Sequence, residues 1–343
     1  HTQTHIAMLF QPTTPKASQW GVARYNANEV SEDGYVVSKR GEDRLYAVID
    51  GHGGREAVDF LEDRLADYVF EELDLHQDDV ELALKCSLKR MDRDFLERVR
   101  SERASKKRKR PRRSSQHKHQ RLVHVGACVV MILIKDDRIY CCNAGDCRAV
   151  LGNSAVFVTL SNDHKASNTV EMSRCKSLCT SDPIPIRRTK EIKDSDAKSV
   201  QHLPLRVAGS LAITRSVGDL YLKISELSYP PYDAHVPYLS YPCEGEVISR
   251  NLTDCPKDCV LVLASDGLWD FVSCDEALGL CEIYQNNEDQ KDSSQLVAGK
   301  ILDHTLENIA SSFRMSQDKL KCIKAGKKRR KLHDDITVLV VRL

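Results

Sequence analysis

The chain has 343 residues and balances 51 Lys and Arg against 50 Asp and Glu, a formal net charge of +1. That balance gives no strong overall field, which argues against a nucleic-acid partner. A composition 41% hydrophobic and 29% charged is that of an ordinary globular protein with a large core, and no run of about 18 apolar residues marks a transmembrane helix, so no membrane partner is expected.

Residues 1–20 carry few structural signals and read as an N-terminal arm. The sequence opens on His1 without a Met, consistent with a missing upstream segment. Residues 21–343 read as one folded region. Tyr35 to Val37 and Leu45 to Ile49 are strand-like around a charged turn from Lys39 to Arg44, which predicts a hairpin. Ala57, Leu61, Leu65, Tyr68 and Leu73 then fall near a 3.6-residue period, the signature of a helix with one apolar face. A second helix follows from about Asp79, a good N-cap, with Leu84, Leu88, Met91, Phe95 and Val99 as its stripe.

The segment 103–121 is a basic insert. Its core, KKRKRPRRSSQHKHQR from Lys106 to Arg121, has no apolar residue to bury and reads as a mobile loop. A second basic run, Lys327 to Lys331, is open to three readings: a solvated loop, a nuclear-import signal or an anionic docking patch. The run at 106–113 directs the expected location to the cytoplasm, the nucleus or both.

Leu122 to Ile134, Ile139 to Asn143, Ala149 to Leu151 and Phe157 to Leu160 read as strands of an antiparallel meander. Residues 165–205 are polar and irregular after a short helix. Val260 to Ala264 is a buried strand, Glu276–Tyr284 and Ser293–Phe313 read as helices, and Ile336 to Leu343 closes the chain as a strand. The order predicts an α+β fold: two packed antiparallel sheets flanked by helices, in four α-β-β-α layers. The glycines after Asp50 lack the spacing of a dinucleotide-binding loop. The 13 cysteines are scattered through apolar runs without the spacing of a zinc site, and read as buried reduced thiols.

Acidic residues recur at the mouths of the apolar strands. Asp50 follows one, with Gly51 and His52 behind it; Asp266 follows another; Asp334 and Asp335 precede the last; Glu32 and Asp33 precede the first; Asp146 lies between two. A single such Asp is usually a cap or turn former. Together, if the strand ends converge, they would crowd like charges into a space that only raised pKa values or bound cations make tolerable. Hard oxygen donors of this type select Mg²⁺ or Mn²⁺ over zinc, and Gly51 would let its carbonyl approach an ion closely.

The segments YAVIDGHGG, NAGDCRAVL, LSNDHK, GSLAITRSVGD, LASDGLWD and HDDITVLVV occur in an order and spacing that resembles the metal-dependent protein phosphatases of type 2C, over about residues 20–343. The resemblance implies a Ser/Thr protein phosphatase acting on phosphoproteins, with two or three Mg²⁺ or Mn²⁺ ions at one end of a β-sandwich. It implies Asp50 bridging two ions, the Gly51 carbonyl on one, Asp266 and Asp334 on the other, and Glu32 and Asp33 acting through waters. Asp163 would join Asp266 at a weaker third ion, Asp270 would hold waters, and His52 would be the general acid. A metal-activated water would attack phosphorus directly, with no phosphoenzyme. Arg148 reads as a salt-bridge partner, Asp146 as structural, and Thr214, Arg215 and Asp219 as organisers of a loop below the cleft.

Many members carry an Arg four residues before the Glu of the acidic pair; this chain has Asn28. That Asn, with LSNDH, DDIT and PYLSYPCEGEV, is similar to the pyruvate dehydrogenase phosphatase branch. Arg24 is then the expected phosphate-binding cation, and residues 166–204 take the position of a variable flap. The alternative function is a catalytically inactive pseudophosphatase scaffold, and a small-phosphoester hydrolase is a third reading. A monomer is the default expectation.

Overall fold

The computed structural model describes residues 19–107, 121–178, 187–188, 205–233, 236–256, 258–285 and 294–343. The arm up to residue 18, the basic run beyond Lys107 and most of the 166–204 excursion lie outside them.

Strands β2 (Asp33–Arg40) and β3 (Asp43–His52) form the expected hairpin. Its turn is tighter than Lys39 to Arg44, because pairing continues to Arg40 opposite Asp43. Helices α1 (Glu56–Leu75) and α2 (Val80–Lys107) follow, and the Asp79 carboxylate caps α2 by accepting from Leu82 N at 2.9 Å.

The next strands are β4 (Gly126–Lys135), β5 (Arg138–Ala144), β6 (Arg148–Gly152) and β7 (Phe157–Thr159). Leu122 and Val123, expected in a strand, instead end a helical turn and are buried in the core beneath the helices. Helix α3 (Thr169–Leu178) opens the excursion, and β8 (Arg187–Arg188) pairs β9 (Leu205–Arg206). Short β10 (Val217–Gly218) and β11 (Glu246–Asn251) lead to β12 (Val260–Ala264). Helices α4 (Asp266–Trp269), α5 (Cys274–Gln285), α6 (Ser294–Ser312) and α7 (Gln317–Cys322) precede β13 (Ile336–Arg342).

With β1 (Trp20–Tyr25) at its edge, one sheet has the order β1-β13-β12-β6-β7; the other has β11-β5-β4-β3-β2 with β10 on β4. Two-residue alternation divides the side chains between layers. Leu45, Ala47 and Ile49 of β3 face α1 and α2, while Tyr46 and Val48 face the opposite sheet. In β13, Val338 and Val340 face the second helical layer and Leu339 and Val341 the inter-sheet core. Strands buried on both faces read as continuous apolar runs, as in GACVVMILI and ITVLVV.

Strand β1 (Trp20–Tyr25) was not marked as a strand by its pattern. Only Gly21 in it is buried, and it has no side chain, so its alternation is weak; pairing with β13 places it. The expected meander also divides. Strands β4 and β5 belong to one sheet, β6 and β7 to the other, and the link from Gly145 to Cys147 crosses between them.

A buried ion pair ties α2 to the loop after β10. Asp92 accepts from Lys223 Nζ at 2.9 Å, Gly218 N at 2.8 Å and Cys243 N at 2.8 Å, and both side chains of the pair are almost wholly buried. Removing one partner leaves an uncompensated buried charge. Asp92→Ala is expected to cost about 3–5 kcal/mol, read as a lower urea midpoint, and Asp92→Leu with Lys223→Met to recover only part of it, because Gly218 N and Cys243 N stay unpaired.

Candidate active site

Strand register brings the acidic residues to one rim. Asp33 opens β2 directly opposite Asp50 near the end of β3, and Asp50 in turn faces Cys128. Gly51 and His52 continue β3 opposite Ala127 and Gly126. From the other sheet, β12 ends at Ala264 and Asp266 opens α4, while Asp334 stands just before β13. Asp146 arrives on the inter-sheet crossing.

One carboxylate oxygen from each of Asp50, Asp146 and Asp266 lies within 4.8 Å of the others. Asp266 Oδ1 is buried and, among the described residues, has no hydrogen-bond partner. A Cβ on Gly51 would stand 2.4 Å from Val58 Cγ2 and 2.6 Å from the Glu32 carbonyl, so only glycine lets β3 pass there.

The charges are uncomfortable in this arrangement. Burial pushes Asp50 well above the usual carboxylate range, and repulsion from Asp266, Asp33, Asp334 and Asp146 adds to it. Asp266 is raised by burial and by Asp146 and Asp334, with Lys165 partly offsetting. Burial and Asp335 push Asp33 up to about 7. Burial also raises Asp334 and Glu32. Converging oxygen donors with an orphaned buried oxygen fit a hard divalent cation, which would neutralise what the protein leaves unneutralised.

His52 stands beside this cluster. Its Nε2 is 2.9 and 2.8 Å from the two Asp219 oxygens, and Ser216 Oγ donates to Asp219 at 2.6 Å. Burial alone would lower the imidazole pKa, but the Asp219 carboxylate outweighs it and holds the group above its ordinary value. Asp219 is fully buried in a left-handed conformation, φ 50°, where the loop turns.

A family model for protein phosphatase 2C matches residues 22–312. The chain belongs to the protein phosphatase 2C family. Among its relatives, a rice (Oryza sativa subsp. indica) "Probable protein phosphatase 2C 34" is 30% identical over 95% of this chain and 80% of its own length. An Arabidopsis thaliana "Probable protein phosphatase 2C 38" is 32% identical over 86% of this chain and 71% of its own. A solved structure described as a C. elegans sex determining protein shares the fold with TM-score 0.61 at 17% identity, over 94% of this chain and 64% of that one. The protein is therefore a metal-dependent protein phosphatase, and its two sheets flanked by helices are the family's fold. Among the described residues, no helix is long and apolar enough to cross a membrane.

In this phosphatase Asp50, Gly51, His52, Asp266 and Asp334 lie at one rim, with Asp33 opposite Asp50 and the Glu32 carbonyl accepting from Gly51 N at 3.0 Å. Asp163 lies outside that 4.8 Å trio, and Arg148 donates to both its oxygens, at 3.1 and 2.8 Å. Asp146, expected to be structural, occupies the cluster instead, because the inter-sheet crossing delivers it there. Lys165 Nζ bridges the two, 3.5 Å from Asp146 and 3.8 Å from Asp163. Asp270 ends α4 at the exposed rim, near Lys165 and Asp146.

Arg24, the expected phosphate contact, is taken up by the scaffold: it donates to the Asp33 carbonyl at 2.5 Å and to Ser31 Oγ at 3.3 Å. Arg55 reaches the same carbonyl at 2.6 Å. Asn28 also has a structural partner, donating to Asp335 Oδ2 at 3.0 Å. Asp335 further accepts from Ala27 N at 2.6 Å and Glu32 N at 2.7 Å, so it fastens the loop that carries Glu32. Arg329 of the second basic run is not solvated: it is buried, donates to the Asn26 carbonyl at 2.8 Å and lies 4.6 Å over the Tyr25 ring. Arg330 pairs with Asp334. Asp219 as the partner of His52, and Asp335 as a loop anchor, carried no local signal beyond their acidity.

An acid with a raised folded-state pKa holds more protons folded than unfolded, so its contribution falls as pH rises between the two values. Metal-stripped protein should therefore lose stability from about pH 4 through about 7, the Asp33 value. A cation bound among ionised carboxylates removes that penalty. The rise in melting temperature on adding Mn²⁺ is expected to grow across this window; a rise that shrinks with pH would contradict the clustered-carboxylate account.

Proposed function

We propose that this phosphatase hydrolyses phosphoserine and phosphothreonine in proteins by direct attack of water, without a phosphoenzyme. The observation that supports it most is the meeting of Asp50, Asp146 and Asp266 oxygens within 4.8 Å beside the His52–Asp219 pair. Two divalent ions of the Mg²⁺ or Mn²⁺ class, held by Asp50, the Gly51 carbonyl, Asp266 and Asp334, would lower the pKa of water towards neutrality and offset charge on the phosphoryl oxygens. Asp146 with Asp266 would take a further ion.

The remaining work falls to side chains of this chain. Asp219 holds His52 Nε2 and favours its protonated form. The other ring nitrogen is then left to give its proton to the departing Ser or Thr oxygen, which is a poor leaving group without one. Asp33 is fixed by Ser265 Oγ at 2.8 Å and Glu32 by the Asp335 anchor, so both are placed to order water at the rim. Among the described residues twelve cysteines are free thiols, and burial raises Cys128, Cys141, Cys142 and Cys147, which suits packing rather than nucleophilic attack.

The experiment is phosphate release from a phosphothreonine peptide by metal-stripped protein titrated with Mn²⁺ and with Mg²⁺. Turnover is expected only with metal, and Asp50→Ala or Asp266→Ala should abolish it. His52→Ala should slow the phosphopeptide by about 10²–10⁴-fold while sparing an aryl phosphate whose leaving group needs no proton. Equal loss on both substrates would remove His52 from the general-acid role.

A further inference from the structure

Away from the cleft, a second group of metal-ligating side chains meets on the helical hairpin. Glu72 and His76 are one turn apart at the C-terminal end of α1, and Cys86 approaches them from the first turns of α2. A Glu72 oxygen, a His76 ring nitrogen and Cys86 Sγ all lie within 4.8 Å of one another. The His76 Nε2 to Glu72 Oε2 separation is 3.5 Å. Two ligands about 2.0–2.2 Å from a tetrahedral zinc stand about 3.3–3.6 Å apart, so this edge already has the length a bound ion requires.

The donor set differs in kind from the cleft. A thiol with an imidazole and one carboxylate is a borderline-soft site, suited to zinc rather than to Mg²⁺ or Mn²⁺. Arg90 Nη1 lies 3.5 Å from the other Glu72 oxygen, Oε1, and so turns Oε2 towards His76 as an outer partner would. Access exists: the His76 side chain is 31% exposed, Cys86 is a half-buried free thiol, and a surface hollow lined by Glu71, Glu72, Asp74, Leu75 and Arg90 adjoins the trio. Three protein ligands leave a fourth position for water.

We propose that Glu72, His76 and Cys86 form a zinc-class site that cross-links α1 to α2. Binding replaces the thiol proton, which leaves to solvent, with a metal–sulfur bond. The site would bear on the cleft only through structure. Helix α2 also carries Asp92, whose bonds to Gly218 and Lys223 hold the loop that presents Asp219 to His52.

The test is a titration of the reduced full chain with Co²⁺, followed by displacement with Zn²⁺. Cobalt bound by a thiolate gives a sulfur-to-metal charge-transfer absorption that oxygen ligands in the cleft cannot give. One such site per chain is expected, its absorption lost in Cys86→Ser. Because loss of even an outer partner weakens metal sites by about 10–100-fold, His76→Ala and Glu72→Gln should weaken the affinity by at least about tenfold. Zinc should raise the melting temperature of the wild-type chain more than that of Cys86→Ser. A wild-type titration without thiolate absorption, which depends on no variant folding, would overturn the proposal; so would absorption that survives Cys86→Ser.

Discussion

Repulsion among carboxylates at one rim of the sandwich is the constraint to which the rest of the molecule is fitted. Two sheets each place acidic residues where their strands end, and packing them face to face directs those ends at one another. Asp50, Asp146 and Asp266 meet within 4.8 Å with Asp33 and Asp334 close by, and burial disfavours the charged forms of Asp50, Asp266, Asp33 and Asp334. Such an arrangement persists only if the surrounding core fixes the strands firmly, and it suits cations because it is poorly compensated without them.

The compensation that does exist is directed at positioning. Asp335, one residue from Asp334, is satisfied by backbone N–H groups of Ala27, Asn28 and Glu32 and by the Asn28 amide. It therefore anchors a loop while its neighbour faces the cluster. Arg24 and Arg55 both give hydrogen bonds to the Asp33 carbonyl, and Arg148 is bound to Asp163. These guanidinium groups hold backbone and outer carboxylates in place. Lys165 and Arg330 are different: each touches an acidic residue of the rim and stays partly exposed, at 31% and 45% of the side chain. The flap side follows the same logic, with Glu171 of α3 accepting from Thr214 at 2.6 Å and Arg215 at 2.6 Å, so the start of the excursion is tied to the loop below His52.

How far this could be read from the residues depended on how much of each signal was local. Strand β12 ran from Val260 to Ala264 as its apolar run indicates, and α1, α5 and α6 began within about two residues of their periodic patterns. Strand β1 was illegible because its one buried residue gives no alternation, and its stability comes from β13 more than 300 residues away. The meander from β4 to β7 was legible as strands but not as a crossing between sheets, since a short turn and a short crossing look alike in sequence. That one ambiguity moved Asp146 from a turn former to a member of the cluster. The salt bridge expected of Arg148 was legible too, but not that Asp163 would be its partner.

The sequence by itself determined the two-sided burial of the strands, the amphipathic helices around them, and a set of carboxylates, one glycine and one histidine whose chemistry suits hard cations and phosphate esters. These follow from residue type and period, which act over a few positions. The tertiary structure alone decided which acids share the cluster, that Asp219 partners His52 from 167 positions away, that Arg24 and Arg329 serve the scaffold, and that Glu72, His76 and Cys86 face one another across a helical hairpin. Those pairings depend on strand order and helix packing. Coulombic and hydrogen-bond partners are chosen by distance in space, and a chain of alternating charges does not say which of its many opposite or like neighbours folding will bring near.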